Sequence, residues 1–285
     1  MVCLGASMWG GSGVAGQYLL QDCGFSTGWL VVSRMLLAGV IFLAADVMQY
    51  KESILRVWRD KKDAGDLVLF AILGLLAVQY TYFACIKYGN AAAATVLQYL
   101  MPIIIVGYTA ITTRKLPQYR EIICVVMAIG GTFLLVTHGN WHELSIPLNA
   151  LLWGLASAVA AAVYTMKPKR LIRKWRPTLV IGWGMLAGGI FLLPFCPPWQ
   201  FTGEWNILSG VIYAYVIVFG TVAAFGFYLG SIKYIQPAEA SILGSVEPLA
   251  AIILSIIFLQ ASFGVMDILG TFLIIGTVFL LAKNK

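Results

Sequence analysis

The stretch SVEPLAAII, residues 245–253, places a carboxylate, Glu247, beside a helix breaker, Pro248, inside an apolar run. Glu247 lies about ten residues into that run, ~15 Å at 1.5 Å per residue, near the centre of a bilayer. An acid there costs about 2.5–3.5 kcal/mol unless it is paired, hydrated or protonated. Three roles fit such a group: exchanging a proton or cation, holding a substrate amine, or acting as a protonated carboxyl that bonds a neighbouring helix. Arg34 also lies within an apolar run. It can pair with Glu247, bind an anionic group of a substrate, or snorkel its guanidinium to the interface.

Pro248 has a counterpart, Pro102, in LMPIIIVG, where Met101 stands in place of the acid. Each proline removes a backbone hydrogen bond and is expected to kink its helix. Interruptions at matching places point to a site at the membrane midplane, or else only shape packing. Around that centre an aromatic and amide lining is expected from Trp9, Gln79, Tyr82, Gln98, Trp153 and Tyr228. Tyrosine and tryptophan can stack on a flat or cationic ligand while offering one polar atom, although many membrane aromatics only form interfacial belts. His138 and His142 have helical i, i+4 spacing without a third ligand, so no metal site is expected. The five cysteines show no CxxC pair. Cys23 and Cys196 fall near the same face, which leaves a disulfide or simple apolar filling open.

The elements that position these residues follow from composition. The chain has 285 residues, 60% hydrophobic and 11% charged, where soluble domains average roughly 45–50% and 25%. Hydrocarbon is the solvent that accommodates such a chain. Ten apolar runs are marked at 2–20, 28–47, 66–86, 91–112, 119–137, 148–166, 179–195, 208–232, 237–260 and 264–282. They are too continuous for the alternation of a transmembrane barrel. Met1 runs directly into the first, so no removable signal peptide is separable. Gly5, Gly10, Gly11, Gly13 and Gly16 in that run suit close helix packing.

The net charge of +7 does not signal nucleic acid, because the charges cluster in short segments between apolar runs. With the N-terminus in the cytoplasm, 17 of the 19 Lys and Arg fall on that side. They are five at 51–62, three at 114–120, six at 167–176, and Lys233, Lys283 and Lys285. Lys87 alone lies outside, so both termini are expected in the cytoplasm. The segments RVWRDKK and RLIRKWRP are expected to rest on anionic headgroups.

Residues 82–102 written over 228–248 give eight identities in 21 positions, among them Tyr82/Tyr228, Lys87/Lys233, Ala92/Ala238 and Pro102/Pro248. The same 146-residue offset pairs Gly130 with Gly276, and Trp9-Gly10 matches Trp153-Gly154 with a small change of offset. The chain thus reads as a duplicated five-helix unit, 1–140 and 146–285. Five is odd, so the second unit enters the membrane from the opposite side. The expected fold is an all-α integral membrane protein, ten transmembrane helices in two inverted five-helix repeats, with a site between the halves.

MWGGSGVAGQYLL, SRMLLAGVIFLA, IKYGNAAAATVLQYLMPIII, LLWGLASAVAAAVYT and IKYIQPAEASILGSVEPLAAIILSIIF resemble the drug/metabolite transporter superfamily, in its ten-helix EamA-type branch. The resemblance spans both halves and implies a secondary transporter of a small organic metabolite (an amino acid, a drug-like or another small compound), often exported. Facilitated uptake is the alternative; a channel or scaffold is the alternative of another class. No HExxH, GxSxG or membrane aspartate pair suggests an enzyme, and no P-loop suggests an ATPase. No cofactor is implied. A proton gradient through Glu247, or the substrate's own gradient, would supply the energy. The expected partners are the lipid bilayer and the small-molecule substrate, not nucleic acid, with the chain a monomer or homodimer.

Overall fold

The computed structural model describes residues 1–114, 116, 118–140, 144–231, 234 and 243–282, with backbone alone at 229 and 282. Every regular element among them is helical. The order is α1 Val2–Gln17, continued by a π-helical turn Tyr18–Asp22; α2 Thr27–Tyr50; and α3 Lys61–Leu69, which runs through the π-helical Phe70–Leu76 into α4 Ala77–Tyr88. Then come α5 Ala91–Gln98, α6 Met101–Thr113, α7 Tyr119–Thr137, α8 Leu148–Met166, α9 Lys169–Lys174 and α10 Pro177–Leu192. Next, α11 Ile207–Ile217 passes through the π-helical Val218–Ala223 into α12 Ala224–Ser231, followed by α13 Val246–Leu259 and α14 Val265–Ala282.

Among the described residues six helical stretches are long and apolar enough to cross a membrane: 27–50, 61–88, 91–113, 119–137, 148–174 and 207–228. Shorter apolar helices cover 177–192, 246–259 and 265–281. The sequence specifies their starts locally. The Ser26 hydroxyl accepts from the Trp29 amide at 3.1 Å, and the Asn90 side chain accepts from the Ala93 amide at 2.8 Å. Each satisfies a first-turn donor that the helix itself leaves unpaired.

The prolines behave differently from the expected mid-helix kinks. Pro102 lies in the first turn of α6, after a break at Tyr99 and Leu100, and Pro248 lies in the first turn of α13. A first-turn residue needs no amide hydrogen, so each proline begins a helix rather than bending one.

Close backbone approaches assemble the bundle. α1 crosses α13 at Gly10, α2 crosses α10 at Gly39, and α7 crosses α14 where Gly131 and Gly270 face each other's carbonyls. A bilayer offers little hydrophobic drive between helices, so small residues that admit van der Waals contact carry the packing. All five cysteines are free thiols, and the Cys23–Cys196 bridge is not formed. His138 Nε2 lies 2.7 Å from Asp267 Oδ1, joining α7 to α14; His142 lies outside the described residues, as do Lys115, Lys233, Ala238, Lys283 and Lys285.

The segment RLIRKWRP departs from the lipid-facing expectation. Arg170 binds Asp63 at 2.8 Å and Asp66 at 2.7 Å, and Lys174 binds Asp60 at 3.1 Å and also Asp63. Arg176 binds Asp46 and Glu52, each at 2.8 Å, while the Trp175 indole donates to Asp63 at 2.9 Å. Three of the segment's four cations therefore face acids of the α2–α3 region, because two of those acids, Asp46 and Asp63, are almost fully buried. A buried carboxylate demands partners more strongly than a headgroup demands a lysine.

This clamp has a predicted pH signature. The hydrogen bond from Arg176 holds the Glu52 carboxyl below the ordinary carboxylate range, and that from Lys174 does the same for Asp60. A depressed carboxylate contributes stability that is complete above its unfolded pKa of about 4 and is lost as pH falls through the folded value. The thermal midpoint of the wild type should therefore exceed that of a Glu52→Gln, Asp60→Asn double variant by a constant margin from about pH 5 to 8. The margin should begin to shrink at about pH 4 and vanish only once the pH lies below the depressed folded values. A margin independent of pH would remove these two acids from the clamp.

Candidate functional site

A cavity of about 230 Å³ lies between the helices. Its walls come from α1 (Trp9, Ser12), α2 (Arg34), α4 (Val78, Gln79, Tyr82), α5 and the break after it (Gln98, Tyr99), and Met101 of α6. The C-terminal turns of α8 (Ala161, Tyr164, Thr165), α12 (Phe225, Tyr228) and α13 (Glu247) complete it, with Leu75 and Gly244. Seven of the eight lining residues singled out in the sequence meet here: Glu247, Arg34, Tyr82, Tyr228, Gln98, Gln79 and Trp9. Trp153 does not. It meets Tyr80 edge-on at 5.8 Å, because that face of α8 packs on α4 and α5, where Gly154 lies against Leu97 and Cys85. α8 reaches the cavity only two turns later.

Glu247 is half-buried on the cavity wall. Its Oε2 lies 3.3 Å from the Tyr99 hydroxyl, but that hydroxyl also lies 2.7 Å from the Gly244 carbonyl. A phenol has one hydrogen, and the shorter contact takes it. The carboxylate is thus left facing the cavity, with no ion-pair partner among the described residues.

Arg34 is 4% exposed, so it does not snorkel. Nor does it touch Glu247. Its Nε donates to Thr221 Oγ1 at 2.6 Å and Nη2 to the Gly220 carbonyl at 3.0 Å, with the guanidinium 5.1 Å from the Phe83 ring centre. The cavity therefore holds an acidic and a basic side chain that do not touch each other.

The rest of the wall is ordered. Thr95 donates to the Ala91 carbonyl at 2.8 Å, which leaves the Tyr82 hydroxyl to donate to Thr95 Oγ1 at 2.8 Å. Gln98 Nε2 donates to Ser157 at 2.7 Å. Trp9 meets Phe225 edge-on at 5.0 Å and Tyr228 at 5.3 Å, forming an apolar corner beside Glu247. Ser12, buried on the same wall, has a hydroxyl with no hydrogen-bond partner among the described residues.

Sequence reasoning missed Ser12, Tyr99, Tyr164 and Phe225. Tyr99 follows Gln98 directly, but in an unbroken helix it would point some 100° away. The break after Gln98 turns it inward.

Packed contacts flank one end of the cavity, and an exposed lining residue, Thr165, marks the other. Beyond Arg34 on α2, Phe25, Trp29, Phe201 and Trp205 pack ring against ring, with centroid distances of 4.8–6.0 Å. Beyond Ser12 on α1, Gln21 donates to the carbonyls of Ile86 and Gly89 at 2.7 and 2.8 Å, and Gln17 accepts from the Ala91 amide at 2.8 Å. At the opposite end Thr165 is exposed, two residues before Lys167; its hydroxyl donates to the Ala161 carbonyl at 2.8 Å and lies 3.1 Å from Met101 Sδ.

Comparison with known proteins points to a membrane transporter. The chain is 40% identical over 287 residues to the "Uncharacterized inner membrane transporter YicL" of Salmonella typhimurium, covering all of this chain and 94% of that one. It is 24% identical to "Protein PecM" of Dickeya dadantii over 92% of both chains. A crystal structure covering 98% of this chain and 94% of its own superposes with a TM-score of 0.67 at 18% identity, which is likeness of fold alone. The model of the EamA-like transporter family matches twice, over residues 1–137 and 148–283. The chain is a membrane transporter belonging to the EamA-like transporter family.

Proposed function

We propose that this chain is a secondary transporter that exports a small organic metabolite by alternating access through the cavity at Glu247. The observation that carries the proposal is the pair of ionisable groups: Glu247 and Arg34 share one cavity without touching, so a polar solute finds a partner for each of its ends there. The cavity suits a small molecule, with aromatic faces on one side and amides on the other.

The ten spans form two inverted five-helix units, 1–140 and 146–285, with both termini cytoplasmic. Support comes from the double family match and from the pairing of equivalent helices, α2 on α10 and α7 on α14, as around a pseudo-two-fold axis. The basic segment 167–176 would then mark the cytoplasmic face, making this the inward-open state. Closure there and opening of the aromatic cluster around Trp29 would give the outward-open one. A proton through Glu247 or the substrate's gradient drives the cycle, with one chain or a homodimer as the unit.

The test is an untargeted metabolite comparison, inside and outside cells with and without the protein, followed by flux in liposomes for each metabolite that changes. A compound enriched outside, with flux that saturates and is competed by its analogues, is the expected result. Enrichment inside would reverse the direction to uptake, and non-saturating flux would indicate a channel.

A further inference from the structure

Both halves interrupt a long helix at the same place. The π-helical turns Phe70–Leu76 and Val218–Ala223 each contain a glycine, Gly74 and Gly220. These stand 146 residues apart, the offset at which 82–102 matches 228–248. A π turn carries one residue more than the helical ladder accommodates, and such turns recur at functional sites. Each is followed by cavity wall: Gln79 and Tyr82 after the first, Phe225 and Tyr228 after the second.

The two turns are held differently. Thr221, fully buried, donates to the Val216 carbonyl at 2.8 Å and accepts from Arg34 Nε, while Arg34 Nη2 takes the Gly220 carbonyl. On its other side Gly220 lies so close to Ser12 that any side chain there would overlap it. At Phe70–Leu76, by contrast, no side chain among the described residues donates to the turn; van der Waals contact holds it, with Gly74 against the Phe70 ring and the Tyr164 backbone and Gly188 of α10 against Ala71 and Leu76. A buried guanidinium without a carboxylate partner is retained at a cost, and charge-assisted bonds to a carbonyl and a hydroxyl offset it. Those bonds act on backbone that regular helix geometry would already have satisfied.

We propose that Arg34 is a positioning residue. It pins the π turn Val218–Ala223 and so keeps Phe225 and Tyr228 against Trp9, while the unpinned turn Phe70–Leu76 is the hinge at which the cavity wall yields. The hinge half of this inference rests on the alternating-access reading; the pinning half does not.

Hydrogen–deuterium exchange on the purified full chain in phosphatidylethanolamine–phosphatidylglycerol nanodiscs tests both. In the wild type, residues 70–83 should exchange faster than 218–228. Arg34→Gln should speed 218–228 by about tenfold, erase the difference between the segments, and leave α7 and α14 unchanged, as local opening does. Arg34→Lys, which keeps one donor for Gly220, should restore part of the protection. Thr221→Val, which removes the Nε acceptor and keeps the charge, should give the same local change at smaller amplitude, and it serves if Arg34→Gln does not fold. Unchanged exchange at 218–228, or equal acceleration throughout the chain, would overturn the pin. Slower exchange at 70–83 than at 218–228 in the wild type would overturn the hinge. Because exchange needs no substrate, a failed transport assay leaves these readings separate.

Discussion

Glu247→Gln is expected to cut flux about 100-fold at equal membrane abundance, the ~3 kcal/mol typical of a lost charge contact in a desolvated site. Glutamine keeps the size of the side chain and the contact with Tyr99, so packing survives. What goes is the charge and the capacity to carry a proton, and no neighbouring acid among the cavity's lining residues replaces either. The measurement is liposome flux of the metabolite that the cell comparison identifies, with a pH-sensitive dye enclosed. Proton movement that accompanies flux in the wild type and disappears in the variant assigns coupling to Glu247. Lost flux in a system without proton movement assigns it to holding the substrate. Wild-type flux in Glu247→Gln would make the carboxyl structural.

Gly10→Val is expected to be the most damaging single change outside the cavity charges. A Cβ at residue 10 would lie 2.6 Å from the Glu247 carbonyl oxygen and 2.9 Å from the Ala251 amide nitrogen. Both are backbone atoms of α13, so no rotamer can give way and the whole helix must move. Overpacking of this kind costs about 1–3 kcal/mol where side chains can adjust, and more where they cannot. Because α13 carries Glu247, the displacement also widens the cavity. Gly130→Ala is the matched control: nothing lies within 4 Å of its added Cβ, and alanine favours a helix interior by ~1 kcal/mol over glycine. Thermal unfolding of the two variants in one detergent should show a large loss for the first and a neutral or slightly raised midpoint for the second. A Gly10→Val midpoint equal to wild type would contradict the close α1–α13 crossing.

Much of this was legible in the sequence because membrane helices announce themselves by length and apolarity. The runs at 28–47, 119–137 and 148–166 are recovered as α2, α7 and α8 to within a few residues. The cavity was legible where a polar or aromatic group interrupts an apolar run, as at Glu247, Arg34 and Gln79. Trp153 shows where that logic stops: a repeat partner shares a position in its unit but not a neighbour, and α8 turns that face to α4. The π turns left no signal beyond two glycines at the repeat offset, because one extra residue in a helix changes no composition. Tyr99 depended on a helix break that the proline marks, three residues away. The role of the acids at 46, 52, 60, 63 and 66 was hidden by distance along the chain.

That distance has a consequence for how the molecule is made. Asp63 and Arg170 are 107 residues apart, and Asp46 and Arg176 are 130 apart. The acids emerge from the ribosome long before the cations that will bind them. During synthesis it is therefore the acids that wait without partners, and acids count for little in setting orientation, whereas Arg170, Lys174 and Arg176 act as topogenic charges as they emerge. Once the second half has inserted, the same three side chains stop instructing orientation and begin to fasten it. Reversing a half after that point would break the clamp that its own insertion signal created.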